Sequence, residues 1–529
     1  MVKIEISLPI GYADDDVRCA VRSVLPVDKS EILEYRIIKR ALSLIDGEAP
    51  KYKCTLALSF SPEREAGLLK MRNKVKPYEE RIFTPTPSRM EKRPVVVGFG
   101  PAGIFAALIL AEAGVRPIVI ERGLDVDSRK SKVDLFNSCG VLDPECNVQF
   151  GEGGAGTFSD GKLKMGTRDE YKLKVIYEFV ENGATEDIAF SQTAHLGTDK
   201  LPTILKGIRA KLLSLGAELI FGAKMTELGT KDCKVTYVDY EKDGNTERIE
   251  TDAVILAIGH SARDTIKHLY LKGVMMTPRG FGIGMRIEHN RERINRLVYK
   301  DSAPLIDETA SYHLVTHLRG GRSVYSFCMC PGGSVVAATS EKGAIVTNGM
   351  SEFARMADNS NSALLVSVTP SDFGSEHPLS GIAYQEKIEK AAYLLSNSYK
   401  APSISLGRLL CRSSDNSSAV IPSYPLGTVD ADPTDYLPDY ITASLKEGIL
   451  DFDAWMPGFL DTGAVLTGPE TRSTSPVRME RGQDGEALCI KGLYPAGEGA
   501  GYAGGIISSA VDGIKEAEKL LLSYAKPLR

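Results

Sequence analysis

Apolar and polar positions alternate from Lys3 to Leu8, from Glu34 to Leu42 and from Lys53 to Ser59, the period of half-buried strands. Between the first two runs, Asp14, Asp15 and Asp16 mark a helix start, since acids are favoured at its positive dipole end. The order β-α-β-β predicts a small leading α+β unit, ferredoxin-like in outline. Residues 74–94 carry four prolines and few apolar residues and read as a surface linker. The pattern then changes. A short apolar strand (Pro94 to Val97), a helical pattern through Ala113 and a second strand ending on Glu121 make a βαβ unit. Farther on come a helix to Leu215 with Thr198 or Asp199 as N-cap, a strand over Glu218 to Leu228, and a hairpin turning at Asp243-Gly244. The buried strand Thr251 to His260 follows.

Residues 263–454 lose this α/β rhythm. Short β-type runs (Tyr312 to Leu318, Ser323 to Met329, Val335 to Thr339) mix with helical patterns near 351–358 and 383–397, predicting an antiparallel sheet with attached helices. Regularity returns with a strand running into Pro495 and a helix from Ile506 to about Leu522. The predicted fold class is α/β. A Rossmann-like domain in two parts, 91–262 and 455–529, is interrupted by an inserted, mainly antiparallel β (α+β) substrate or cap domain over 263–454. A small α+β domain and linker over 1–90 precede it.

A chain of 529 residues accommodates about three domains of roughly 150 residues. Its 43% apolar and 25% charged residues are those of an ordinary globular protein, so composition adds no special class. A net charge of -5 excludes a global basic field. The charge is uneven, however: residues 1–93 hold 18 Lys/Arg against 14 Asp/Glu, with the excess mostly in 62–93, Arg72 included. Most such lysines and arginines solvate a surface, which makes a docking or stability role the plainer reading of the leading unit. Nine cysteines form neither a dense nor an even framework, so reduced thiols in the cytoplasm are expected. No signal pattern opens the sequence, and apolar runs such as 104–111 fall short of a membrane span. The expected partner is a small-molecule substrate. Neither membrane nor nucleic acid is expected, and oligomeric state is not legible.

The chemistry starts at Gly98-x-Gly100-x-x-Gly103. Its glycines serve a tight turn, backbone approach to a pyrophosphate and close helix–strand packing, while the helix N-terminus supplies N–H groups and positive potential. Glu121, 23 residues after Gly98, stands where a carboxylate accepts ribose hydroxyls. The turn alone leaves NAD and FAD both open. Four glycines crowd Gly151 to Gly156, fitting a loop whose backbone approaches a flat or phosphorylated group, and Ser159, Asp160 and Lys162 follow directly. Gly259 ends a strand at the carboxyl edge of the sheet. Gly497-Glu498 and Gly504-Gly505-Ile506 form another ligand-facing turn into a helix. Thr467 to Arg478 adds two arginines and several hydroxyls. Cys328 and Cys330 would share one face of a strand and read as small buried hydrophobes. His313 and His317 do not share a face on a strand and lack further ligands, so no metal is expected.

One two-ended cofactor, FAD, uses all four ligand-facing segments, and here the chain resembles the glutathione-reductase-type FAD-binding superfamily. Gly153 to Leu163, Gly468 to Arg478 and Pro495 to Gly505 resemble more closely a bacterial family of NAD(P)/FAD-dependent dehydrogenases with no assigned substrate. The resemblance spans most of the chain. It implies FAD held by Gly98, Gly100, Pro101, Ala102, Gly103, Glu121 and Arg122 at the ADP half, with Met225 offering backbone to the adenine. It further implies Gly154, Gly156, Thr157 and Gly259 near the flavin, Gly497 and Glu498 at the ribityl chain, and Gly504, Gly505 and Ile506 at the pyrimidine ring. Glu498 departs from the Asp of many relatives. No second Gly-x-Gly-x-x-Gly unit lies between 160 and 490, so a dedicated nicotinamide domain is not expected, and the electron donor or acceptor stays open. Cys139 and Cys146 are misplaced for the redox pair of disulfide reductases, which disfavours that activity.

The expectation is an FAD-dependent oxidoreductase exchanging a hydride with an organic substrate. Arg472 and Arg478 are candidates to orient an anionic substrate, and Asp160 or Lys162 to carry a proton. The alternatives are a flavoprotein that binds RNA or another polyanion through its basic N-terminal segment, and a flavin-binding protein without turnover.

Overall fold

The computed structural model describes residues 1–45, 47–71, 73–163, 166, 169–412, 419–524 and 526–527, leaving Arg72 outside the described residues. At the centre is a five-stranded sheet in the order Leu493–Pro495, Val254–Leu256, Val95–Val97, Ile118–Glu121, Glu218–Phe221, with every neighbouring pair parallel. The middle strands are short and apolar because both faces are covered. Helix Pro101–Glu112 is buried from Ala102 to Ala111, so its sequence is apolar all round rather than amphipathic. Helix Ile506–Tyr524 crosses it at close range. A Cβ at Gly513 would lie 2.1 Å from the Ala102 carbonyl oxygen, so only glycine allows this approach. The sheet therefore takes its outer strand and a covering helix from the chain's last forty residues.

The leading unit is a four-stranded antiparallel sheet in the order Glu34–Ser43, Lys51–Ser59, Val2–Pro9, Lys76–Pro77. Helices Asp14–Val24 and Pro62–Leu68 complete β-α-β-β-α-β, the strand order of a ferredoxin-like unit. Val2, Ile4, Ile6, Leu8, Val17 and Val21 form part of its own core.

A seven-stranded sheet makes the third layer: Val315–His317, Ser323–Cys330, Asn359–Val368, Phe281–Asn290, Val465–Glu470, Ala401–Ser405, Thr428–Asp430. Only the last pair is parallel. The sheet extends past residue 454, because Val465–Glu470 pairs with Phe281–Asn290. Helices Ser380–Leu394 and Asp439–Trp455 pack on it through Ile388, Ile441, Leu445 and Ile449.

Three element expectations change. The single strand over 218–228 is two strands in different sheets, Glu218–Phe221 and Lys224–Lys231, broken at Gly222 with φ 66°. The helix expected near 351–358 is a turn, because Phe353 and Arg355 are drawn to Asp199 and Asp160: the Phe353 amide donates to Asp199 Oδ1 at 2.7 Å. Asp199 is thereby diverted from capping, and the helix runs Leu201–Ser214 with Lys200 before it and no side-chain cap. Among the described residues, no helix is long and apolar enough to cross a membrane.

Candidate functional site

A cavity of about 760 Å³ opens where the carboxyl ends of the parallel strands meet the face of the seven-stranded sheet. One end is lined by Gly98, Gly100, Pro101, Ala102, Glu121, Arg122 and Met225, the other by Ser326, Phe327, Cys328, Met329, Asn348 and Glu470. Gly98 has φ 98°, and a Cβ there would sit 2.4 Å from the Ala257 carbonyl oxygen. Gly103 lies behind the lining. Its Cβ would meet the Gly98 carbonyl at 1.9 Å, so this glycine acts by letting helix and strand close up.

Glu121 is buried at the strand end, but its carboxylate already accepts three backbone N–H bonds. Oε2 takes Phe99 N at 2.7 Å, and Oε1 takes Gly123 N and Gly151 N, each at 2.9 Å. These three bonds leave only part of the acceptor capacity of a carboxylate for the ribose hydroxyls expected at this position. Its observed role is to tie the Gly98 turn to the second glycine loop. Arg122 is held by Glu145 and by a fork to Asp264 at 2.8 and 3.0 Å.

The second loop is shaped from behind by Arg129. This buried guanidinium donates to the carbonyls of Asn147 (2.9 Å), Val148 (2.9 Å) and Glu152 (2.6 Å), and burial pushes its pKa down to about 10. Gly153 N donates to the Phe99 carbonyl at 2.8 Å, and a Cβ at Gly154 would reach Gly100 Cα at 3.0 Å, so the two glycine segments touch. Gly154 and Gly156 line the cavity. Thr157 does not, its hydroxyl turned back to the Glu152 carbonyl at 3.1 Å.

Met225 and Gly259 line the cavity, as do Gly504, Gly505 and Ile506 at the start of the last helix. Gly497 sits behind, its N–H donating to Asp512 Oδ2 at 2.7 Å, which aims the next residue, Glu498, inward. Burial pushes the Glu498 carboxyl up to about 8; Cys328 adds to the rise, and Arg279 opposes it.

The candidate reactive residues fare differently. Asp160 is buried and gripped by Arg355, Nε to Oδ1 at 2.9 Å and Nη2 to Oδ2 at 2.5 Å, which removes it as a ready proton carrier. Lys162 lines the cavity, donates to the Met329 carbonyl and has its pKa lowered by burial. Arg472 lines the cavity but is committed to Glu389 at 2.8 Å and to the Ser340 and Ser261 hydroxyls at 2.6 and 3.1 Å. Arg263 forks onto the same Glu389, so Arg472 belongs to a buried ionic cluster rather than a free anion clamp. Arg478 is absent from the lining and lies against Tyr502 and the Gly501 carbonyl. His260 was not singled out from sequence, yet it lines the cavity directly after Gly259. Burial, then Arg472 and Arg263, push its imidazole down to about 3, so it is neutral. Its position one residue past a strand-ending glycine was the available signal.

Two helix N-termini and two glycine segments, in which a Cβ at Gly98 or Gly153 would clash, thus converge on one elongated cavity, a donor set suited to a dinucleotide. Comparison with known proteins agrees. A family model described as "FAD-dependent protein, C-terminal domain-like" matches residues 280–473. An uncharacterized protein of Clostridium beijerinckii is 44% identical over 531 residues, covering 97% of this chain and 98% of that one. The chloroplastic geranylgeranyl diphosphate reductase of Oryza sativa subsp. japonica is 28% identical over 189 residues, 34% of this chain and 36% of its own. Among solved structures, a flavoprotein/dehydrogenase from Cytophaga hutchinsonii is 12% identical with a TM-score of 0.34, covering 83% of this chain and 80% of that one, too loose a likeness to carry an argument.

Proposed function

The chain belongs to one family with the Clostridium beijerinckii protein, and its residues 280–473 match the FAD-dependent C-terminal domain model; from that premise we propose that it is an oxidoreductase exchanging a hydride between FAD and an organic substrate. The observation that carries this reading is one continuous cavity, bounded by the dinucleotide turn at one end and by the inner face of the seven-stranded sheet at the other. FAD supplies the two-electron chemistry when bound. The chain's own residues do the rest. Gly98, Gly100 and the N–H groups opening helix Pro101–Glu112 would take the pyrophosphate, with Met225 backbone beside the adenine. Glu498, protonated at neutral pH, would donate to the ribityl chain. The N-terminus of Ile506–Tyr524 would favour negative charge on the reduced ring. Ser326 to Met329 would form the wall against which the substrate is held, and the neutral His260 and the Lys162 ammonium line the same cavity.

The test is to release and identify the bound flavin, then photoreduce the protein without oxygen and scan organic oxidants and metabolites. The expected result is one FAD per chain and reoxidation by at least one compound faster than free flavin achieves. A colourless protein that takes up no FAD would overturn the cofactor assignment for this cavity. Bound FAD that no compound reoxidises beyond the free-flavin rate would overturn the hydride exchange.

A further inference from the structure

The strand Ser323–Cys330 loses its regular pairing at the point where it lines the cavity. Phe327 pairs with Ala363 and Cys330 with Asn361, so one extra residue is accommodated between them. Cys328 takes up the distortion with φ 41°, a left-handed conformation costly for a residue with a Cβ. The result is not the pair of buried hydrophobes that strand alternation predicts. Cys328 is half-buried and lines the cavity, and Cys330 lies fully buried behind it, its Sγ 3.3 Å from the Cys328 carbonyl oxygen.

Two cationic side chains stand beside the two sulfurs. Arg286, wholly buried, donates to the Cys328 carbonyl at 3.0 Å and approaches Cys330 Sγ at 4.0 Å. Lys162 reaches across the cavity wall to the carbonyl of Met329, between the two cysteines. Glu470 neutralises Arg286 through a fork of two 2.7 Å contacts, and Asp160 is neutralised by Arg355. Glu498 also lines the cavity, and burial, with Cys328 adding to it, pushes its carboxyl up to about 8. The neighbouring Cys330 thiol, with the charges of Arg286 and Lys162, lowers the Cys328 thiol against burial and Glu470, which raise it, while the Cys330 thiol is raised. A thiolate beside a retained thiol is the state from which a disulfide forms.

We propose that Cys328 and Cys330 are a redox dithiol that exchanges two electrons with FAD across this cavity. In the oxidising direction, the Cys328 thiolate and the Cys330 thiol lose two electrons, an S–S bond forms and the Cys330 S–H bond breaks. The electron pair and that one proton go to FAD, giving the reduced flavin anion, so charge and atoms balance. In the reverse direction, reduced flavin opens the disulfide and returns thiolate and thiol. The pair lets the cavity hold two electrons beyond the two of the flavin. Cys328 lines the sheet end of the cavity, where the substrate would be held.

This inference rests on FAD occupying the cavity, and its experiment separates the two. The flavin-loaded protein is titrated with dithionite without oxygen. In parallel, iodoacetamide labelling in denaturant and mass spectrometry follow the peptide holding both cysteines, with Cys54 and Cys146, buried in the folded chain, as internal references. The expected result is uptake of two electrons per chain beyond those that bleach the flavin, and a 328–330 peptide that resists labelling when oxidised and labels twice when reduced. Cys328→Ser and Cys330→Ser should each take up two electrons fewer than the wild type. Wild-type uptake that stops at the flavin's own two electrons overturns the proposal whatever the labelling pattern, and needs no variant to fold. A protein that holds no FAD fails at the earlier reading instead.

Discussion

At the scale of single residues, the cavity is set by groups whose charge state depends on burial. Glu498 is the clearest. Its carboxyl is raised from an ordinary 4.5 to about 8, because ionising it would place a charge in a poorly solvated wall. A folded-state pKa raised in this way favours the folded protein most below about pH 4.5, and that contribution drains away as pH rises to about 8. In flavin-free protein, the wild-type unfolding temperature should therefore fall across this window relative to Glu498→Gln, which keeps the shape and cannot ionise. Parallel pH profiles for the two would show that Glu498 is solvated. Residue identity was legible here, but environment was not. Glu498 stood out in the sequence beside Gly497, whereas its protonation depends on Cys328 and Arg279, more than a hundred positions away. The same gap explains Arg472 and Asp160. Spacing offers Arg472 as a substrate-orienting group and Asp160 as a proton carrier, yet both are committed to partners, Glu389 and Arg355, that no local spacing could reveal.

At the scale of elements, pattern was a better guide where one physical demand governed a segment. The βαβ unit follows from a continuous apolar run, a glycine turn and an apolar helix, and Val95–Val97, Pro101–Glu112 and Ile118–Glu121 lie where that pattern puts them. It failed where two demands met. The run over 218–228 is uniformly strand-like, yet Gly222 hands the chain from the parallel sheet to a three-stranded one. The turn at 351–358 has helical spacing, but its N–H and guanidinium groups answer to Asp199 and Asp160 across the cavity mouth. One contact between elements decides the cavity's shape, the crossing of Pro101–Glu112 and Ile506–Tyr524 at Gly513. A methyl group there would stand 2.1 Å from the Ala102 carbonyl, so Gly513→Ala must part the helices whose N-termini both line the cavity. FAD affinity should drop roughly tenfold, about 1.4 kcal/mol, by fluorescence titration. Gly67→Ala, in a helix where a Cβ meets nothing within 4 Å, should leave it unchanged. Equal affinity in both variants would mean that the helices absorb the methyl group without moving the cavity.

At the scale of the whole molecule, the leading α+β unit is not a detached basic arm. Arg40 N donates to the Phe190 carbonyl at 2.8 Å, and Gln192 N donates back to the Arg40 carbonyl at 3.0 Å, so a strand of the unit clasps residues 190–192. The Arg40 guanidinium lies between the Tyr52 ring of its own unit and the Phe190 ring, 4.9 and 5.1 Å from their centroids. Tyr52 donates to Glu308 Oε1 at 3.0 Å, and Thr193 donates to Glu308 Oε2 at 3.3 Å. Gln192 and Thr193 line the cavity, so the leading unit braces one of its walls. Some of its basic groups are also partnered: Arg64 pairs with Glu31 and Arg81 with Glu79 inside residues 1–93, and Arg93 with Glu218 outside them. A brace couples the stability of the two parts. Arg40→Ala removes two cation–π contacts of about 1 kcal/mol each while leaving the backbone clasp in place. Calorimetry should then resolve an earlier transition for the leading unit, and amide exchange over 190–195 should quicken. Unchanged exchange there, with a single transition at the wild-type temperature, would mean that the backbone clasp alone holds the wall.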